Sequence, residues 1–166
     1  MLALSRLHQS EGRHDRAVAL GRRALEGDWP GVLPEHYKGL GMYFAEQNLA
    51  QDAINAFQRG LQFDPQNANI RVDLGCILHQ RGHLDKAIEQ YTYVLERGLH
   101  SVAQFNLALA YLQKGMVQEA HLQYAQAIDQ YGAEEGLKMG AVGDLKKIAT
   151  GPYATLARKI LKTYWP

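Results

Sequence analysis

The 166-residue sequence predicts an all-α fold, an α-solenoid in which antiparallel helix pairs stack side by side. Two observations lead to this prediction. Apolar residues recur at three- and four-residue steps, which is the spacing of one helical face. A pattern of large and small residues also returns every 33 or 34 residues, a period typical of stacked helical repeats. We expect about three full pairs, a partial N-terminal pair and a C-terminal capping pair.

The second helix of each expected pair carries an alanine and, four residues later, an aromatic ring. The matching positions hold Ala53 and Phe57, Ala87 and Tyr91, and Ala120 and Tyr124. A weaker copy starts at Ala17 and has Gly21 where the others have a ring. We expect the rings to fill the space between neighbouring units. Truncating one of them to alanine should then cost about 3–5 kcal/mol.

The first helix of each pair carries a leucine followed by a small residue. These positions hold Leu40 and Gly41, Leu74 and Gly75, and Leu107 and Ala108. A glycine inside a helix costs about 1 kcal/mol relative to alanine, so a close approach between helices is expected at Gly41 and Gly75. Each of these segments ends at a turn residue, which is Asn48, Gly82 or Gly115.

These registered positions resemble the tetratricopeptide repeat (TPR), with "YKGLGMYF" and "AQDAINAFQRGLQFDP" following its pattern nearly throughout. The resemblance implies a right-handed superhelix whose concave surface is lined by the first helices and is the usual ligand site. The resemblance covers about residues 1–133 and predicts a partial repeat at 1–27 and full repeats at 34–67, 68–100 and 101–133. With capping helices at 134–166, we expect one domain, 1–166.

The segments outside the full repeats have their own signals. Trp29 and Pro30 predict a structured corner before the second repeat. After residue 133, helical spacing continues over 134–150, and Pro152 suits the first position of a new helix. Residues 136–166 hold six lysines and arginines against one aspartate, a net charge of +5. We interpret this as the solvated face of a cap, with a docking patch for an acidic partner as the alternative.

The resemblance and the helical spacing together predict the residues that line the concave surface. They are Lys38, Met42, Ala45, Glu46, Val72, Cys76, His79, Gln80, Phe105, Leu109, Leu112 and Gln113, with Arg6, Gln9 and Ser10 from the partial repeat. The apolar members would take the apolar side of a helix or an extended segment from a partner. In the alternative interpretation, the chain's own C-terminal helices or a second copy of the protein cover part of this stripe.

One well-known mode of peptide binding in the family is not expected here. Its members hold the C-terminal carboxylate of chaperone tails with lysine, asparagine and arginine side chains from three successive first helices. Lys38 matches the leading lysine, but the other four positions are occupied by Met42, Asp73, Val102 and Asn106. Asp73 would repel a carboxylate, so the resemblance predicts that this chain is not a chaperone-tail binder.

No metal site, cofactor or catalytic centre is predicted. The spacing of Cys76, His79 and His83 is compatible with zinc. However, the repeat itself fixes the positions of Cys76 and His79, and His83 lies beyond the expected helix end. The remaining histidines have no carboxylate or nucleophile at suggestive spacing, and the glycines form no phosphate-binding loop. We therefore expect a non-enzymatic protein.

Composition narrows the function further. Hydrophobic residues make up 46 % and charged residues 21 % of a chain with net charge +1, which is globular and lacks the basic field of nucleic-acid or anionic-membrane binders. The single cysteine excludes an intrachain disulfide. No apolar run approaches a membrane span and the start is no signal sequence. These observations favour a cytoplasmic scaffold that binds a protein or peptide, with a self-associating TPR module as the alternative.

Overall fold

The computed structural model describes residues 13–27 and 31–166, and this described part contains ten α-helices and no strand. The helices are α1 (His14–Leu25), α2 (Pro34–Glu46), α3 (Ala50–Phe63), α4 (Ala68–Gln80), α5 (Leu84–Leu95), α6 (Ser101–Gln113), α7 (Val117–Tyr131), α8 (Ala133–Lys138), α9 (Ala141–Ile148) and α10 (Ala154–Tyr164). Some sequence predictions lie outside the described residues, namely those for Arg6, Gln9, Ser10, Trp29 and Pro30. None of the helices within 13–27 and 31–166 combines the length and apolar character that crossing a membrane requires.

The chain forms two compact units, Met1–Ile77 and Leu78–Pro166. The boundary falls within α4, so the second unit begins with the last residues of that helix. In the first unit, α2 and α3 pack as a pair joined by a short turn. In the second unit, α6 and α7 form the matching pair, and α9 packs against both α6 and α10.

The repeated rings lie in the core, as predicted. Phe57, Tyr91 and Tyr124 are each at most 1 % exposed, and the three alanines four residues before them are fully buried. Burial of these rings supplies much of the packing between adjacent helices, because an aromatic side chain removes a large apolar area from water. The alanines and rings that repeat in the sequence are therefore the residues that pack against adjacent helices.

The same turn ends α2, α4 and α6. Asn48, Gly82 and Gly115 have positive φ angles of 60°, 77° and 80°. In each turn, this residue's N–H donates to the carbonyl three residues earlier, and the next N–H donates to the carbonyl five residues earlier. This pair of bonds is the Schellman motif, which satisfies the last carbonyls of a helix. The predicted turn residues are thus left-handed helix caps.

Glycine permits close helix contacts in the first unit. A Cβ atom added at Gly41 would lie 2.5 Å from Cε1 of the Phe57 ring, which confirms the predicted close approach of α2 and α3. A Cβ atom at Gly21 would lie 2.7 Å from Cδ1 of Leu40 and 2.8 Å from Cζ of Phe44. Gly21 replaces the aromatic ring in α1 because side chains of α2 already occupy that space.

The C-terminal segment differs from the prediction in two respects. Gly140, with a φ angle of 80°, divides the expected helix over 134–150 into α8 and α9. Pro152 lies in the turn before α10, which begins at Ala154, rather than at the first helical position. Beyond α10, the indole Nε1 of Trp165 donates a hydrogen bond of 2.8 Å to the carbonyl of Ala133 at the start of α8. This bond holds the end of the described chain against the second unit.

Candidate functional site

Among the described residues of the first unit, nothing covers Met42 on one face of α2. Lys38, Met42 and Glu46 follow one another at four-residue steps along this face, and Met42 is 46 % exposed. The opposite side of α2 is used for packing, since Tyr37 and Phe44 are fully buried there. A large apolar side chain is thus accessible between a cation and an anion, each about one helical turn away.

The cation of this face is already paired within the chain. The ammonium Nζ of Lys38 lies 3.8 Å from Oδ2 of Asp73 on α4, and the two side chains are 26 % and 32 % exposed. A partner carboxylate approaching Lys38 would therefore also approach the carboxylate of Asp73. Like charges at such distances repel, most strongly where water is partly excluded.

The other predicted residues of α4 in the first unit contribute less surface. Val72 is buried, whereas Cys76 is partly exposed. We call the set Lys38, Met42, Glu46, Asp73 and Cys76 the α2–α4 face. Its only large exposed apolar side chain among the described residues is Met42, and its charged members are one lysine, one glutamate and one aspartate.

The predicted apolar stripe of α6 is covered. Phe105, Leu109 and Leu112 are only 3 %, 8 % and 0 % exposed. Phe105 and Leu112 belong to a buried cluster that also contains Leu145 of α9 and Ile160 of α10. The C-terminal helices therefore occupy the place where an apolar partner segment would have packed, which was the alternative left open by the sequence.

Gly136 and Trp165 help to bury the apolar side chains of α6, and neither was among the predicted site residues. The Trp165 ring lies directly against Gly136 of α8, and a Cβ atom at Gly136 would also lie 3.0 Å from Cε1 of Phe105. A signal was present in the sequence. A helical glycine such as Gly136 costs stability relative to alanine, so its presence indicates that a neighbouring group packs too closely for a Cβ atom.

A polar pair lies in the second unit. Nε2 of His79 is 3.0 Å from Oε1 of Gln113, and because an amide oxygen only accepts, the imidazole donates this bond. Burial lowers the pKa of His79, while the Gln113 hydrogen bond and the charge of Asp144 act in the opposite direction. The arrangement favours a neutral imidazole that positions the exposed Gln113 side chain.

The zinc-compatible residues are not assembled into a site. Within residues 13–27 and 31–166, no group of three His, Cys, Asp or Glu side chains is placed to hold a metal ion.

Comparison with known proteins yields a family match along most of the chain. A family model described as Tetratricopeptide repeat matches residues 2–68 and 72–135, and a second model of the same description matches residues 44–98. Together the two matches run from residue 2 to residue 135 without a gap.

The curated relatives are much longer proteins. The chain is 36 % identical over 85 residues to Anaphase-promoting complex subunit 7 of Arabidopsis thaliana, a match that covers 51 % of this chain and 15 % of that protein. It is 29 % identical over 129 residues to Protein O-mannosyl-transferase TMTC1 of Mus musculus, covering 76 % of this chain and 13 % of that protein. The chain thus spans less than a sixth of the length of either relative.

Solved structures share the fold over almost the whole chain. MamA superposes with a TM-score of 0.65 at 18 % identity, covering 96 % of this chain and 95 % of its own. YrrB, described as a TPR protein with an unusual peptide-binding site, gives 0.61 at 22 % identity, covering 97 % and 90 %. The pilF protein of Pseudomonas aeruginosa gives 0.63 at 19 % identity, covering 98 % and 72 %. These similarities confirm the predicted all-α fold class of stacked helix pairs.

Proposed function

Because this chain belongs to the tetratricopeptide repeat family, we propose that it is a non-enzymatic module that binds a segment of a partner protein on its α2–α4 face. The observation that carries this proposal is the exposure of Met42, which is 46 % accessible in the middle of a helix face whose opposite side is fully packed. Family membership supports protein binding in general, and the exposure of Met42 supports the α2–α4 face as its proposed location.

The chemistry of the face suits a mixed apolar and polar segment. Methionine is flexible and polarisable, so Met42 can adapt to different apolar side chains of a partner. Lys38 and Glu46 would select among partners by charge more than they would add affinity. The helices that carry these residues are held by buried rings, so little conformational entropy is lost on binding. The solved YrrB structure, whose description mentions a peptide-binding site, is a precedent for peptide binding on this fold.

The proposal assigns no chemistry to the chain. One relative is named a transferase, but the matched stretch covers only 13 % of that protein, so the name describes a much larger molecule. Among the described residues, Lys38 of the α2–α4 face forms an ion pair with Asp73, and His79 of the second unit forms a hydrogen bond with Gln113.

The decisive experiment replaces Met42 by glutamate. Tagged wild-type protein and the Met42→Glu variant are used to capture partners from an extract, and the bound proteins are identified by mass spectrometry. Leu122→Glu is the matched control, because Leu122 is a 54 % exposed leucine on α7 in the other unit. We expect a partner that the wild type and Leu122→Glu retain and that Met42→Glu loses. Equal capture by Met42→Glu, with an unchanged thermal melt, would remove the α2–α4 face from the binding role.

A second measurement distinguishes self-association from the binding of a different protein. Light scattering over a concentration series reports whether the occupant of the face is another copy of the chain. If it is, the mean mass rises with concentration for the wild type and stays monomeric for Met42→Glu. A constant monomer mass for both proteins leaves a different protein as the partner.

A further inference from the structure

The second unit carries a strongly basic surface on its last two helices. Residues 136–166 have six basic side chains and one acidic one, a net charge of +5, whereas residues 1–135 have twelve basic and sixteen acidic side chains, a net charge of −4. Five of the six cations lie on α9 and α10, and all five are exposed. We call them the α9–α10 surface: Lys146, Lys147, Arg158, Lys159 and Lys162.

Packing in the fold directs these cations outwards. Leu145 of α9 and Ile160 of α10 are fully buried in the core of the second unit, as is Ala157. The cations flank these buried positions in the sequence and point away from that core. The Arg158 guanidinium also donates a hydrogen bond of 3.0 Å to the carbonyl of Ala149, which joins the end of α9 to α10. The five cations therefore belong to one packed helix pair.

Their charge is largely uncompensated. Other cations of the chain meet carboxylates on neighbouring helices, as Arg22 meets Asp52 at 2.7 Å. On the α9–α10 surface, Lys147 lies 3.1 Å from Asp144. For Lys146, Lys159 and Lys162, the described part of the chain shows no ion pair. A surface with this excess of like charge attracts polyanionic partners and disfavours basic ones.

We propose that the α9–α10 surface docks an acidic segment of a partner protein, independently of the α2–α4 face. The occupant follows from charge complementarity. A lipid surface would also need apolar anchors beside the cations, and no large exposed hydrophobic side chain lies on α9 or α10. Nucleic-acid binding domains combine a basic patch with a pI above about 9, whereas this chain has a net charge of +1 and a pI of about 7.9.

The test uses a fluorescein-labelled twelve-residue peptide of alternating glutamate and serine and follows fluorescence anisotropy at low and at physiological salt. The surface variant is Lys146→Glu/Lys162→Glu. The matched control is Arg81→Glu/Lys86→Glu, which reverses two exposed cations elsewhere in the second unit and changes the net charge equally. We expect wild-type binding that weakens with salt, a loss of at least about tenfold in the surface variant and a smaller change in the control. Equal weakening by the control, or no binding of the peptide to the wild type at low salt, would overturn the proposal.

Two further arms test the choice of partner. Vesicles of mixed phosphatidylserine and phosphatidylcholine and a twelve-nucleotide oligo-dT are titrated with the same proteins. Tighter binding of either one than of the acidic peptide would contradict the assignment to a protein segment. Met42→Glu should bind the acidic peptide as the wild type does. The experiment therefore tests the α9–α10 surface independently of the proposed role of the α2–α4 face. Thermal melts of all variants establish that the substitutions leave the fold intact.

Discussion

Gly41 sets the distance between α2 and α3. In the Gly41→Ala variant, the new methyl group would lie 2.5 Å from Cε1 of Phe57, and that ring is buried and cannot move aside easily. Overpacking of this kind costs about 1–3 kcal/mol, which outweighs the gain of about 1 kcal/mol from replacing a helical glycine. We expect a lower midpoint of urea unfolding with an unchanged slope.

Gly143 provides the opposite case as a control. It lies within α9, has no heavy atom within 4 Å of the position a Cβ atom would take, and is exposed. Gly143→Ala should therefore raise the free energy of unfolding by up to about 1 kcal/mol. If both variants shifted the midpoint in the same direction, the contact between Gly41 and Phe57 would not be the cause.

His79 makes stability depend on pH. Burial lowers the pKa of its imidazole, so the unfolded chain, in which a histidine titrates near 6.5, binds the proton more readily. The stabilising effect of the neutral imidazole is complete above about pH 6.5 and is lost as pH falls from there through the folded-state pKa. We expect the free energy of unfolding to decrease between about pH 7 and pH 5.5, and to decrease less in the His79→Gln variant.

The histidine control is His83→Gln, four residues further on and exposed to solvent. It should retain the wild-type pH dependence. If the free energy of unfolding of His79→Gln fell with pH as steeply as that of the wild type, burial of the His79 imidazole would not be the cause of the acid sensitivity.

At the scale of the element, the left-handed caps determine where the first helices end. Gly82 has a φ angle of 77°, and no heavy atom lies within 4 Å of the position that a Cβ atom would take, so Gly82→Ala introduces backbone strain without a clash. The expected cost is about 1–2 kcal/mol. Gly82→Asn should cost less, because asparagine tolerates this conformation and Asn48 already adopts it at the matching position. Urea unfolding of both variants measures the difference.

Gly98 serves as the control for these cap variants. It is exposed, is absent from the positive-φ positions and has open space around it, so Gly98→Ala should be neutral or slightly stabilising, by about 0.4–1 kcal/mol. Equal effects of alanine at Gly82 and Gly98 would mean that the left-handed conformation is not what constrains the turn.

The structural features that the sequence predicted correctly are those that occur in every full repeat. The buried rings, the paired helices and the cap positions recur at a fixed period, so each copy supports the interpretation of the others. The division between α8 and α9 at Gly140 occurs once, and helical spacing does not reveal that a single glycine adopts a left-handed conformation. Periodicity therefore carries information about the repeats and little about the terminal segment.

At the scale of the whole molecule, the candidate site was predictable only in part. Helical spacing placed Lys38, Met42 and Glu46 on one face of α2, and their exposure follows from that placement. The same spacing put Phe105 and Leu112 on an open surface, where the structure has them buried. Their burial depends on contacts with residues 30 to 60 positions later in the chain, and such long-range packing leaves no trace in local periodicity.

The two proposed surfaces give the chain two binding chemistries in separate units. The α2–α4 face offers one exposed apolar side chain with a paired lysine and two carboxylates, and the α9–α10 surface offers an excess of cations.

Asp73 determines how the α2–α4 face responds to carboxylates. In the Asp73→Asn variant, the negative charge 3.8 Å from Nζ of Lys38 is removed, so the ammonium becomes available to an acidic ligand. We expect a labelled peptide with a free C-terminal carboxylate to bind this variant about three- to tenfold more tightly than the wild type, as a gain of roughly 1 kcal/mol at a partly exposed site implies. The amidated peptide should show less of this gain.

Asp85→Asn is the matched control, because it frees Lys114 in the second unit from the same kind of ion pair. If Asp85→Asn produced an equal gain, or if the gain persisted in Lys38→Met/Asp73→Asn, the pairing of Lys38 with Asp73 would not be what excludes carboxylates from this face.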